Sequence, residues 1–528
     1  MTDRSSPDAT APPRSDRLPR RLIGLAAALC CVALCVPFRA FVLDDSFITF
    51  RYALNLVEHG TLAWNVGQQP VEGFTSLLWV LVNALGMLVS LDPVVTSKLV
   101  ALASTLAILA VLLRKERDAP LGLRAALVAG LAASPALALL TMQGMETATT
   151  TLIVLFVARE VLAAGEGVDR RRALRLAALF FLALLARPDT AVFGAGAGAV
   201  LVAVHAVRRD LASLKALTLC VSAFVAAVGV YTAWRWWVFG ELLPNTYYVK
   251  MNADDPLRAE LGKQYVTAFL QMYLGPYLAL GAVAALFASS RARFLRALPV
   301  LFGAGLFVFY VSGIRPLQGM GGRFLFPVVP ALFLAILALA DARRPLCRAL
   351  AHPVAWVCLL GLSGAWVLQH TALILDVRNS FSPTDRVAAG KGLAGLDGRM
   401  FVSESGALPY YSRWTTLDRV GLTSDVIAHG GLTRDVLEAF APDLIQDIGR
   451  TGNYTVNQVN RMQVDYMREH GFVAIAATKR HGRTIHYYFA RPDSPLFDEC
   501  VLRLRTLPGV EQAPLEGQIH VPGLAIQP

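Results

Sequence analysis

The stretch Val42–Asn65, "VLDDSFITFRYALNLVEHGTLAWN", places two adjacent carboxylates, Asp44 and Asp45, at the end of the chain's first long apolar run. A charge at such a place is costly unless it faces water, a cavity or an opposite charge. The residues that follow have helical periodicity. Phe47, Phe50, Leu54 and Val57 form one stripe, Arg51, Asn55 and Glu58 lie opposite, and Asp45 or Ser46 can cap the first turn. Tyr52, Trp64 and Asn65 add polar and aromatic groups. The fold turns on what surrounds this segment.

The 528 residues are 55% hydrophobic and 16% charged, with a mean hydropathy of +0.50. Soluble domains carry about a quarter charged residues. Apolar runs lie near 22–42, 74–91, 94–113, 122–141, 146–163, 173–187, 190–207, 216–238, 266–289, 295–313, 324–341 and 351–370. Each approaches the roughly 20 residues needed to cross a bilayer. The formal charge of +11 does not indicate nucleic acid, because Arg and Lys fall in short clusters between apolar runs, as topology signals do. The seven cysteines include no CxxC pair, which speaks against a zinc site or a disulfide framework.

The segments between runs alternate in charge. "RKERDAPLGLR", "GEGVDRRRALR", "VRRDLASLK", "SRARFLR" and "DARRPLCR" form a basic set assigned to the cytoplasm, together with the N-terminus. "LLTMQGMET", "ARPDT", "FGELLPNTYYVKMNADD" and "GIRPLQGMGGR" form the other set. This alternation requires that 74–91 does not span. Ser76, Asn83 and Ser90 recur there at heptad spacing, as in a helix lying in the interface. The expected fold is an all-α polytopic membrane domain of about eleven transmembrane helices plus juxtamembrane helices, followed by a C-terminal α/β extracytoplasmic domain. Residues 1–21 are read as a disordered cytoplasmic N-terminus, 22–370 as the membrane domain with an outer loop at 43–93, and 371–528 as the outer domain. Strand-like stretches in the last are "MFVSES", "FVAIAA" and "TIHYYFA", with helical patterns near 431–440 and 456–470.

With that topology the unusual polar residues gather on one face: Asp44, Asp45, Arg51, Tyr52, Asn65, Glu72, Glu146, Arg187, Asp189, Asn245, Tyr248, Lys250 and Arg323. Carboxylates and cations at one membrane face suit a substrate with a phosphate and hydroxyls. The bland alternatives are a helix cap at Asp44-Asp45, a structural ion pair at Glu146 and an interfacial side chain at Arg187. "RPD" recurs at Arg491-Pro492-Asp493, so that tripeptide alone is weak.

The combination resembles the GT-C class of integral-membrane glycosyltransferases, which take sugars from polyprenyl-phosphate carriers. "DDSFITFRYALNL", "TLAWNVGQQPVEGFTSLLW", "GMET", "RPD" and "PNTYYVK" resemble in particular the terminal β-(1→2)-arabinofuranosyltransferases of bacterial cell walls and their relatives, over about residues 22–340. "ESGALPYYSRWTTLDRVGLT" resembles the start of the outer domain in such relatives. Gln68-Gln69 stands where the resemblance expects a "GE" pair after WN, a departure that bears on the substrate. The resemblance implies a polyprenyl-phosphate sugar donor, a glycan or protein acceptor bound by residues 371–528, and inversion at the anomeric carbon. Asp44 or Asp45 is the expected base, Asp44 slightly ahead. Arg187, Lys250 and Arg323 are phosphate candidates, and Glu146 and Asn245 are sugar-hydroxyl candidates. No cofactor is expected; a divalent cation is optional, because two adjacent acids do not make a full metal site. The Ala- and Arg-rich bias suggests a GC-rich bacterium and its plasma membrane. The rivals are a lipid-linked-sugar transporter, which places charges at the midplane or in inverted repeats, and a non-catalytic envelope assembly or motility factor on the same scaffold.

Overall fold

The computed structural model describes residues 17–114, 119–250, 257–270, 290–314, 316, 319–340, 371–449, 454–456, 460–479 and 484–527, without the side chains of Arg17 and Lys250. Seven helices among them are long and apolar enough to cross a membrane: Leu18–Phe38, Pro93–Leu113, Thr147–Ala164, Thr190–Val207, Leu211–Phe239, Arg291–Ser312 and Met320–Leu339. Leu121–Ala132 and Pro135–Met142, bent by 57°, make an eighth span if they cross together. The bend has a local cause. Pro135 cannot donate into the preceding turn, and Ser134 Oγ accepts from Leu137 N to start a new helix. The run at 173–187 is the 17-residue helix Arg170–Ala186. The runs expected at 266–289 and 351–370 lie largely or wholly outside the described residues. The chain is a multi-pass membrane protein.

Residues 74–91 contain the 12-residue helix Leu77–Leu88. At 1.5 Å per residue it is about 18 Å long, short of a hydrocarbon core of about 30 Å. Leu81, Leu85 and Leu88 form its exposed apolar stripe. The polar face expected from Ser76, Asn83 and Ser90 does not form, because the helix is too short to carry all three. Ser76 is the N-cap and accepts from Trp79 N, Asn83 is buried and donates to Trp79 O, and Ser90 lies beyond the end with φ 62°.

Small residues let the spans approach closely. At the crossing of Thr190–Val207 with Arg291–Ser312, a Cβ on Gly196 would lie 3.0 Å from Gly303 Cα, and one on Gly303 would lie 2.6 Å from Phe193 O. The bundle separates charge between its two ends. One end carries the basic connections. There Arg296 pairs with Glu166, Arg172 donates to Gly167 O, and Arg208 donates to Gly165 O. The other end carries Asp45, Glu72, Glu146, Arg187 and Arg323, and meets the C-terminal domain through Asp44 and Asn245.

That domain is built on strands β1 (Arg399–Val402), β2 (Thr415–Asp418), β3 (Leu444–Gly449), β5 (Val473–Lys479), β6 (Ile485–Ala490) and β8 (Ala525–Ile526), in the order β2-β1-β3-β6-β5-β8. β1 is parallel to β2 and β3, while β6 is antiparallel to β3 and β5. β4 (Tyr454–Thr455) and β7 (Ile519–His520) form a small parallel pair. The central strands are apolar on both faces. Phe401, Ile445 and Phe489 enter one core with Val464 and Met467, whereas Met400, Val402 and Tyr488 enter another with Leu393, Trp414 and Leu504.

Candidate active site

The helix Ser46–His59 is wedged between the two domains. Its residues from Ser46 to Ala53, and Asn55, are buried, so the amphipathic stripe expected from Phe47, Phe50, Leu54 and Val57 is replaced by burial nearly all round. Gly60, with φ 66°, ends it in a left-handed turn that favours glycine. Asp45 occupies the N-cap position, but its side chain makes no capping bond. Its Oδ2 instead lies 3.0 Å from Arg323 Nη2. Asp44 turns the other way and accepts from Gly406 N and Ala407 N, each at 3.0 Å.

Arg323 is buried, and its Nε and Nη1 have no hydrogen-bond partner among the described residues. A guanidinium with two dry, unpaired donors is a costly arrangement that an anion would relieve. Its carbon lies 5.0 Å from the centre of the Phe324 ring, and the Arg187 guanidinium lies 4.9 Å from the same ring. Phe324 N donates to Tyr265 Oη, which fixes this turn against a neighbouring helix.

Arg187 is fully engaged. Nη1 donates to Glu146 at 3.1 Å, and Nε and Nη2 donate to the two oxygens of Asp189 at 3.1 and 2.5 Å. The "GMET" and "RPD" segments thus meet as one ion triad. Phe324, Arg187 and Asp189 border a cavity of about 610 Å³. Leu184, Val192, Val228, Leu242, Leu243, Tyr310 and Ile314 give it mostly apolar walls, and Tyr231 and Arg235 form another edge. Arg235 Nε lies 2.7 Å from Glu72, whose carboxyl is pushed up to about 7 by burial, against the pull of Arg235 and Tyr231.

Several other candidate residues join domains. Arg51 donates to Trp64 O, Pro409 O, Trp414 O and Asn65 Oδ1, and stacks 4.3 Å from the Trp64 ring centre. Asn65 pairs with both N and O of Thr416, as an added strand would. Asn245 Nδ2 donates to Gly421 O and Leu422 O. Tyr52 Oη donates to Val71 O and accepts from Gly73 N. Tyr248 Oη donates to Glu241 and packs against the His429 ring. The Lys250 side chain lies outside the description. Among the described residues no group of three or more His, Cys, Asp or Glu could hold a metal ion.

Sequence reasoning missed Arg235, Tyr231 and Arg386. Arg235 had a signal, since "AWRWWVF" puts a charge inside an apolar run and such a charge usually faces a cavity. Arg386 had none; its partners are Asp44 and Glu404.

A family described as "Domain of unknown function (DUF8728)" matches residues 387–493. A search of curated proteins found no match. Among solved structures, the chain is similar to ArnT from Cupriavidus metallidurans bound to undecaprenyl phosphate, with TM-score 0.57 and 15% identity over 90% of this chain and 99% of that one. The apo ArnT structure gives TM-score 0.58 at 15% identity, covering 90% and 98%. The archaeal oligosaccharyltransferase AglB from Archaeoglobus fulgidus, in complex with an inhibitory peptide and a dolichol-phosphate, gives TM-score 0.50 at 11% identity, covering 92% and 76%. The chain therefore shares the fold of these structures: a helical membrane domain joined to a C-terminal domain containing strands.

Proposed function

We propose that this chain is an inverting membrane glycosyltransferase. It moves a sugar from a polyprenyl-phosphate carrier to a glycan or protein acceptor outside the bacterial plasma membrane. The carrying observation is the buried Arg323, which lies beside Asp45, has two donors without a partner among the described residues, and shares Phe324 with the apolar cavity. The cavity suits an isoprenoid, and Arg323 suits its phosphate. Arg187 is the weaker phosphate candidate, because Glu146 and Asp189 already take its donors. The charges gather at one end of the bundle, which favours chemistry at a membrane face over transport through the midplane. The resemblance of the 44–79 segment to arabinofuranosyltransferases makes an arabinofuranosyl group the first donor to try.

In the proposed step an acceptor hydroxyl oxygen attacks the anomeric carbon as its bond to the carrier phosphate breaks. The bonding pair leaves on the phosphate, which Arg323 holds. The hydroxyl proton passes to Asp45, the more exposed of the two acids. The phosphate ester is a stable anion and needs little acid help. Attack opposite the leaving group inverts the centre. The C-terminal domain binds the acceptor.

The test is transfer by full-length protein in lipid nanodiscs, using a panel of synthetic undecaprenyl-phosphate sugars. Asp45→Asn is expected to lower turnover about a hundredfold or more, as loss of a general base does. Arg323→Lys keeps the charge but loses the planar fork, so it should raise the half-saturating donor concentration more than that of the acceptor. Full activity in both variants removes this assignment.

A further inference from the structure

Asp44 and Asp45 are chain neighbours that face different halves of the molecule. While Asp45 pairs with Arg323, Asp44 Oδ2 accepts from Gly406 N and its Oδ1 from Ala407 N. Arg386 Nε lies 3.4 Å from the same Oδ1. Gly406 is fitted closely to this contact. A Cβ there would lie 2.1 Å from Asp44 O and 2.3 Å from Asp44 Oδ2.

The place of this contact in the sheet is informative. The segment 403–407 leaves the carboxyl end of β1. The chain goes from β1 to β2 on one side and later to β3 on the other. In open α/β sheets such a reversal is where ligands bind, outside the carboxyl ends of the strands. Here that edge receives a carboxylate of the same chain. Its anchor is deep: Arg386 is fully buried and also meets Glu404, which lies 3.3 Å from His486 Nε2.

We infer that Asp44, Arg386 and the Gly406–Ala407 amides are positioning residues that set the direction of Asp45, so that the C-terminal domain is part of the transfer site and not only an acceptor platform. The inference rests on the reading of Asp45 as base. The physical link is short. Asp45 has backbone angles of φ −54° and ψ −24° at the start of the Ser46–His59 helix. With that helix wedged and the adjacent carboxylate clamped, Asp45 keeps only its side-chain torsions. A displacement of about 1 Å at a reacting group costs on the order of a hundredfold in rate.

The experiment uses full-length protein in nanodiscs with the same donor panel. Transfer kinetics are read beside amide hydrogen exchange over residues 403–412. Asp44→Asn and Gly406→Ala are expected to speed exchange at 406–407 and to cut turnover about ten- to a hundredfold, with the half-saturating donor concentration within about twofold. Arg386→Lys should retain more turnover than Arg386→Gln. Asp45→Asn should lose turnover with exchange unchanged. Gly406→Ala leaves every charge in place, so it keeps the test valid if Asp44→Asn unfolds. Unchanged exchange in both Asp44→Asn and Gly406→Ala overturns the contact, and wild-type turnover with faster exchange overturns the positioning role. If Asp45→Asn keeps its turnover, or no donor transfers, the base reading fails. Faster exchange in Asp44→Asn then marks a domain latch without a catalytic role, which also overturns the proposal.

Discussion

At Glu72, a carboxyl enclosed by protein sits against Arg235 near the apolar cavity. Burial lifts it from 4.5 to about 7, with Arg235 and Tyr231 opposing. The folded state therefore holds a proton that the unfolded chain releases between about pH 4.5 and pH 7. Its contribution to stability falls as pH rises through that window. Glu72→Gln removes the titration. The melting temperature of the wild type minus that of Glu72→Gln should fall from about pH 4.5 to about pH 7 and level off above. A difference that stays flat shows an unshifted carboxyl. Glu72 was visible in the sequence as an acid between "QQPV" and "GFTS"; its partner was not, because Arg235 lies 163 positions away on a helix whose register only packing sets.

Among the elements, the paired helices Thr190–Val207 and Arg291–Ser312 depend on the contact between Gly196 and Gly303. Gly303→Val should push its Cβ against Phe193 O and destabilise the bundle by about 1–3 kcal/mol, as overpacking does. Gly198→Val, at a position with nothing within 4 Å of the added Cβ, is the control for the cost of a branched residue in the helix. Unfolding in mixed micelles measures both, and equal losses would falsify the close-approach account. That 74–91 does not span was legible from the alternation of basic and other connections, whereas the 12-residue length of Leu77–Leu88 was not. Its polar face was misread, since a heptad of polar residues carries no information on where the helix stops.

For the whole molecule, the basic connections and the candidate site lie at opposite ends of the bundle. By the positive-inside rule the basic end is expected to face the cytoplasm. A reporter fused after Arg117 is expected inside the cell, and one after Pro528 outside. Two reporters on the same side would separate Asp44 from the C-terminal domain that the structure joins to it. The class of molecule was legible in the sequence alone. Charge scarcity, apolar runs and clustered arginines arise from bilayer thickness and insertion energetics, which act on local composition. The gathering of Asp45, Glu146, Arg187 and Arg323 near one end followed from the same pattern. What only the tertiary structure decided is the division of labour among those residues. Asp44 faces Gly406, Arg187 is held by Glu146 and Asp189, and Arg51 and Asn65 join the loop to the second domain. Each of these depends on which side chains pack together across the chain, and a buried charge takes the partner that packing brings within reach.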